Sequence, residues 1–268
     1  MDKDRQIDIM GIVNLTDDSF YAGSRCSDVA AALKRVGKMV EEGATIIDIG
    51  ACSTRPGSLP AGPEEEWDRL KEVLPAVRSA YPGVDISVDT YRASVVSRAY
   101  DLIGEFIIND ISAGEDDPMM LPAAGRLGLR YIAMHKRGTP EVMQSLTDYD
   151  DVTEEVFRYF LDFSIKAREY GIRDWIADPG FGFAKTTEQN FELLRNLGRL
   201  SELPEGNRIL VGISRKSMIY RFLDITPEDS LPATQAVHMK ALENGADILR
   251  VHDVAEAVRT VSLYRALA

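Results

Sequence analysis

Cysteine is scarce in this 268-residue chain, which holds only Cys26 and Cys52. Two thiols cannot build a multi-bridge framework, so a disulfide-stapled fold is excluded and a reducing, cytoplasmic setting is expected. Long apolar runs are also missing: none approaches the roughly 20 residues that a membrane-spanning helix needs. The opening MDKDRQID has no apolar stretch of the kind that a secretory signal requires. Positive charge is in deficit, since 31 Lys+Arg stand against 43 Asp+Glu for a formal net charge of −12. That balance argues against a general nucleic-acid binder, which carries a basic face. The 3 histidines, His135, His238 and His252, show no zinc-site spacing. There is no HExxH, no paired CxxC and no GxSxG, and GFGFAK (Gly180–Lys185) has neither dinucleotide-fingerprint nor P-loop spacing. What remains is ordinary globular composition, 45% hydrophobic and 28% charged, which rules out disorder. Any anionic ligand must be drawn by local charge.

Short apolar runs rich in β-branched residues recur along the whole length. They predict eight strands: Ile7–Val13, Thr45–Ile49, Asp85–Asp89, Phe106–Asn109, Arg130–Met134, Asp174–Ala177, Arg208–Ile213 and Asp247–Val251. Helical patterns lie between them at Val29–Glu42, from Pro63 onward, and at Val152–Tyr170, Glu188–Leu200, Ala233–Asn244 and Val254–Leu267. Pro63 opens its helix ahead of the acidic turn Glu64–Glu66, which suits the helix dipole. EEGAT, REYGIRD and ENGADI each place glycine where a helix should stop before a strand. Eight β-then-α units predict an α/β fold, a (β/α)8 TIM barrel forming a single domain over residues 1–268. An open doubly wound sheet, the structural rival, usually needs fewer strands.

In such a barrel the chemistry gathers at the C-terminal strand ends. Taken in order, those ends hold Asn14, Asp48, Asp89, Asn109-Asp110, Met134-His135, Asp178, Ser214, and Arg250 with His252. Each lies in or just after an apolar run, where an unpaired charge is costly. Asp48 reads equally as a buried structural carboxylate or as a site residue, and Asp110 as the cap of a neighbouring loop. Asp89, Asn109 and Asp178 converge from different strands and suit a flat heterocycle with several N–H donors and ring acceptors. A basic set accompanies them: Arg55 in STRPG (Ser53–Gly57), Lys216 in SRKS (Ser214–Ser217), Arg250 and His252. The loops after strands 7 and 8 are a common phosphate site in barrels. His238 reads as a packing or surface residue within a helix, and Trp67 and Trp175 as core or boundary aromatics.

Along nearly its whole length the chain resembles the dihydropteroate synthase family of pterin-binding barrels. The resemblance is carried by MGIVNLTDDSF (Met10–Phe20), IIDIGACSTRPG (Ile46–Gly57), ISVDTYRA (Ile86–Ala93) and IINDISAG (Ile107–Gly114). It continues through MHKRGTP (Met134–Pro140), DPGFGFAKTTEQN (Asp178–Asn190), GISRKSMI (Gly212–Ile219) and ILRVHDV (Ile248–Val254). It implies a transferase of folate biosynthesis that joins 6-hydroxymethyl-7,8-dihydropterin diphosphate to 4-aminobenzoate, giving 7,8-dihydropteroate and diphosphate. It further implies that Asp89, Asn109, Met134, Asp178, Lys216 and Arg250 hold the pterin. Asn14, with Arg250 and His252, would meet the diphosphate, Asn14 also meeting its Mg2+, with Asp17 or Asp18 as helpers. Thr54, Arg55, Pro56, Phe183 and Ser214 would frame the aminobenzoate. Catalysis would rest on Asp89, Lys216, Asp178, Arg250 and His252. The loops Asn14–Ser27 and Ala51–Gly62 would order over the substrates, and the chain would form a homodimer.

The chain departs from a widespread family pattern at Asp17 (Pro), Cys52 (Glu), Lys136-Arg137 (Met-Gln) and Ile213 (Thr). None of these is an expected pterin contact. Two rival readings are a pterin-binding methyltransferase barrel that serves a corrinoid protein, and a non-catalytic pterin-binding paralogue. STRPG and SRKS together argue against the first, and the presence of Asn14, Lys216 and His252 against the second.

Overall fold

Met10, Ile46, Ile107, Ile132, Ile176, Leu210 and Ile248 form a separate buried cluster, at most 3% exposed, contributed by seven different strands. They are the plug of a closed barrel of eight parallel strands in sequential order. The computed structural model describes residues 5–15, 25–52, 62–139, 142–204 and 208–268. The strands are β1 (Asp8–Asn14), β2 (Ile46–Gly50), β3 (Asp85–Asp89), β4 (Ile107–Asp110), β5 (Arg130–Met134), β6 (Trp175–Asp178), β7 (Arg208–Val211) and β8 (Ile248–Val251). The helices are α1 (Arg25–Glu41), α2 (Pro63–Ala80), α3 (Ala93–Ile103), α4 (Met120–Leu127), α5 (Val152–Glu169), α6 (Thr187–Arg195), α7 (Ser217–Tyr220), α8 (Leu231–Glu243) and α9 (Val254–Leu267).

The strands read as near-continuous apolar runs because both of their faces are covered. Outward-facing Ile47, Ile49, Ile108, Ala133, Ala177 and Leu249 pack with the helices in the larger core. Side chains alternate along a strand, so the inward neighbour of each plug residue lies two positions further on. On five of the seven strands those positions are Asp48 above Ile46, Asn109 above Ile107, Met134 above Ile132, Asp178 above Ile176 and Arg250 above Ile248, while Ile12 lies above Met10 and β7 ends before the position above Leu210. A polar layer therefore rests directly on the apolar plug, at the mouth end.

Helix starts follow the sequence signals. Pro63 stands in the first turn of α2 with Glu64, Glu65 and Glu66 behind it. Asp151 caps α5 by accepting from the Thr153 and Glu154 amides, and Thr186 with Gln189 forms a capping box on α6. Most strand bounds fall within a residue of the expectation, α3 and α4 fill gaps in which no helix bounds were expected, and larger differences arise at α6, at β7 and at α1. The helix expected over Glu188–Leu200 breaks at Asn196, and Leu197–Glu202 continues as a 3-10 turn around Gly198, both residues being weak helix formers. β7 leaves the ladder at Val211 rather than Ile213, and a single extra turn, α7, precedes α8. α1 begins at Arg25, ahead of the expected Val29, which shortens the first mouth loop. Among the described residues, no helix is long and apolar enough to cross a membrane.

Candidate active site

Asp48, fully buried, is the hub of the polar layer. The Ser87 hydroxyl donates to its Oδ1 at 2.7 Å, and Asn109 Nδ2 donates to Oδ2 at 3.1 Å. Arg250 Nε donates to the same Oδ2 at 2.7 Å, while Arg250 Nη2 bridges onward to Asp89 Oδ2 at 2.9 Å. Strands β2, β3, β4 and β8 are thus tied across the barrel by one carboxylate. Of the two readings of Asp48, its partners select the structural one, with a consequence for the site: it sets the orientation of Asn109 and Arg250. Because Nδ2 of Asn109 is committed downward, its Oδ1 is left as an acceptor for the mouth. Burial pushes the Asp89 carboxyl above the ordinary range, against the pull of Arg250, with Asp48 adding to the rise.

A second group forms across β6 and the loop after β7. Asp178 is 7% exposed and accepts the Gly180 amide at 2.8 Å. Burial raises its pKa, while Lys216, the Gly180 amide and Arg250 oppose the rise. Lys216 stands at the N-terminus of α7 and reaches back to donate to the Phe181 carbonyl, its ammonium 4.8 Å from the centre of the Phe183 ring. Burial lowers its pKa to about 8, against the attraction of Asp178. The loop between β6 and α6 must fold tightly to place these groups. Gly180 has φ +68°, and a Cβ there would lie 1.9 Å from the His135 carbonyl oxygen, so only glycine fits.

The same loop is held from beneath by Lys185, a residue that the sequence reading passed over. Its buried ammonium contacts His135 Nδ1 at 3.0 Å and donates to the Gly180 and Phe183 carbonyls at 3.0 and 3.1 Å. Burial lowers the Lys185 pKa to about 7 and that of His135 well below the usual imidazole range. The signal was present in GFGFAK: a lysine at the end of a Gly-rich turn has loop carbonyls within reach.

His252 follows β8 directly, at the mouth end of the strand. Its backbone amide and its Nδ1 lie 3.2 and 3.1 Å from the Ser214 hydroxyl. Ser214, expected beside the aminobenzoate, is thus in contact with His252. Desolvation, followed by the charges of Arg250 and other arginines, holds the His252 pKa below the usual imidazole range. Met134 is 3% exposed in the polar layer, and Asn14 ends β1 half-buried.

Other expectations resolve away from the mouth. Asp110 caps its own loop, accepting from the Ser112 amide and hydroxyl at 2.7 Å each, from the Gly114 amide at 2.7 Å and from the Tyr131 hydroxyl. Lys136 pairs with Asp116 at 2.6 Å, and Arg137 pairs with Glu155 while covering the Tyr149 ring at 3.7 Å. Both departures from the family pattern at those positions are thus spent on neighbouring loops and helices. His238 is buried packing in α8, Trp175 is core, and Trp67 lies half-buried under Arg98. Thr54, Arg55, Pro56, Asp17 and Asp18 lie outside the described residues.

The sequence pattern of the family described as "pterin binding enzyme" matches residues 10–252. A dihydropteroate synthase from Synechocystis sp. is 43% identical to this chain, over 92% of the chain and 85% of the relative. The structure of a Yersinia pestis dihydropteroate synthase in complex with a sulfonamide drug superposes with a TM-score of 0.90 at 36% identity, covering 100% of this chain and 96% of that one. A Xanthomonas albilineans dihydropteroate synthase with 4-aminobenzoic acid gives a TM-score of 0.89 at 37% identity, covering 100% of this chain and 94% of the other.

Proposed function

Since the chain belongs to the pterin-binding enzyme family and is kin to its dihydropteroate synthases over nearly all its length, we propose that the polar layer at the barrel mouth is the pterin seat of that reaction. The activity is the transfer step of folate biosynthesis: 6-hydroxymethyl-7,8-dihydropterin diphosphate and 4-aminobenzoate give 7,8-dihydropteroate and diphosphate. The observation that carries the site assignment is the convergence of two carboxylates, an oriented amide and a half-buried lysine at the C-terminal ends of the barrel strands.

Asp89 and Asp178 accept the N–H groups of the pterin, Asn109 offers its amide oxygen, and Met134 packs on the ring face. Lys216 gives one N–H to Phe181 and keeps two for ring acceptors. The C–O bond to diphosphate breaks with its electron pair leaving on oxygen, and the positive charge is spread over the electron-rich pterin. Asp89 and Asp178 stabilise that charge in place, with no reorganisation at the moment of bond breaking. The aromatic amine then donates its lone pair to the exocyclic carbon, forming C–N, and passes one proton to the departing diphosphate or to solvent water. Such an amine is largely unprotonated near neutrality, so no strong base is needed. His252 and Arg250 meet the departing diphosphate, while Phe183 with Thr54, Arg55 and Pro56 frames the second substrate. Both substrates are anionic, and Lys216 and Arg250 set two cations among the carboxylates at the mouth.

Mg2+ belongs to the same proposal. Among the described residues, no group of three His, Cys, Asp or Glu could hold a metal by itself. The side-chain oxygen of Asn14, at the end of β1, would be the protein ligand of a hard cation that also takes substrate phosphate oxygens. When bound, it would neutralise charge on the leaving diphosphate. A homodimer is part of the same reading, to be checked by light scattering.

Purified protein given both substrates and Mg2+ should release diphosphate; no release at saturation overturns the assignment. The same assay gives a pH prediction. Asp89 accepts hydrogen bonds only when ionised and Lys216 donates fully only when protonated. Activity should therefore fall on the acid side as Asp89 gains a proton, above the ordinary carboxylate pKa, and on the alkaline side near pH 8 as Lys216 loses one. A profile of kcat/KM that stays flat from pH 6 to pH 9 would contradict both roles.

A further inference from the structure

Ser214 and His252 are register partners continued past the end of the sheet. β7 and β8 pair Leu210 with Ile248 and Val211 with Leu249, and the same spacing of 38 residues brings Ser214 beside His252. The contact thus keeps the register of the two strands just beyond their paired residues.

Hydrogen counting then decides which ring nitrogen carries the proton. The Ser214 oxygen already accepts the His252 backbone amide at 3.2 Å. The hydroxyl has one hydrogen, the residue is 4% exposed, and His252 Nδ1 at 3.1 Å is the acceptor at hand among the described residues. If Nδ1 carried a proton, two N–H donors would converge on one buried oxygen and the hydroxyl hydrogen would go unsatisfied, which is costly away from water. If Nδ1 is bare, every group in the triangle is paired and the ring hydrogen lies on Nε2, the nitrogen that does not face Ser214. Arg250, Arg35 and Arg215 discourage a second proton, while Asp253 acts in the opposite sense.

We infer that Ser214 is a positioning residue that fixes the Nε2–H tautomer of His252, making that ring a neutral hydrogen-bond donor for an anionic phosphoryl oxygen. The tautomer rests on the geometry alone; its use on diphosphate rests on the proposed reaction. A bare Nε2 would turn its lone pair toward the anion and repel it. Ser214 would thus govern how the leaving group is held while making no contact with it.

The test uses the full-length enzyme labelled with 15N-histidine, whose 3 histidines give few signals. Long-range 1H–15N correlation spectra near neutral pH are recorded for wild type, Ser214→Ala and Ser214→Thr, with His252→Gln to assign the ring. Wild type and Ser214→Thr should show His252 protonated at Nε2 and bare at Nδ1. Ser214→Ala should lose that pattern and bind inorganic diphosphate with Mg2+ about tenfold more weakly, the loss of roughly one hydrogen bond. Its kcat should fall while KM for aminobenzoate stays put. A wild-type ring protonated at Nδ1, or a Ser214→Ala ring unchanged from wild type, overturns the inference. An altered tautomer with unchanged diphosphate affinity overturns the functional half. Absence of turnover in the wild type would instead strike the proposed reaction, leaving the spectra to stand by themselves.

Discussion

Lys216→Ala is expected to lower kcat/KM by about a hundred- to a thousandfold with little change in melting temperature. The size follows from what one preorganised donor contributes in a water-poor site, where its removal costs about two to three orders of magnitude. Lys216, half-buried, offers an ammonium with two unspent N–H groups above the Phe183 ring, beside Asp178. Little loss of stability is expected because the fold disfavours this charge. The pKa falls to about 8, so the protonated form is less welcome in the folded chain than in water. Asp178 meanwhile keeps its Gly180 amide, with Arg250 and Lys185 nearby. Steady-state kinetics and a thermal melt on the same preparation check both halves. Turnover within threefold of wild type would remove Lys216 from the site.

Asp48→Ala should act in the opposite way, with its largest effect on stability. Removing the hub leaves the Ser87 hydroxyl and Asn109 amide without their buried acceptor and takes from Arg250 the closer of its two carboxylates. Breaking a buried pair by removing one partner costs about 3–5 kcal/mol. For a chain of this size that corresponds to a fall in Tm of about 10 °C. Asp48→Asn keeps the volume and one acceptor and should lose about half as much. Pterin binding should weaken in both variants, because Asn109 and Arg250 lose their fixed orientation. Chemical denaturation and calorimetry measure the first effect, and titration with the pterin substrate the second. An alanine variant that melts within 2 °C of wild type would refute the hub.

Much of this was legible before any coordinates. Strand runs such as Asp85–Asp89 and Arg130–Met134 match to the residue, because a buried parallel strand advertises itself by unbroken β-branched character. The polar residues at strand ends could be found for the same reason: an Asp after Ile-Ile or Ile-Ala is conspicuous against its surroundings. What stayed hidden was pairing at long range. Whether Asp48 was structural depended on Arg250, 202 residues away, and the burial of Lys185 depended on His135, 50 residues away. The contact between Ser214 and His252 likewise joins residues 38 positions apart. The break at Asn196 is a local contest between helix and turn that periodicity does not resolve.

The stacking of polar layer on apolar plug also makes the strands far less forgiving of a change in length than of a change in side chain. One residue added within β2, β4 or β8 would rotate Asp48, Asn109 or Arg250 out to the helices and carry Ile49, Ile108 or Val251 into the mouth. Substitution edits one contact, whereas insertion misaddresses a whole strand, ruining plug and catalytic floor together. Viable length variation in this barrel is therefore confined to its loops, and new specificities can be sought by exchanging mouth residues on strands whose count is left alone.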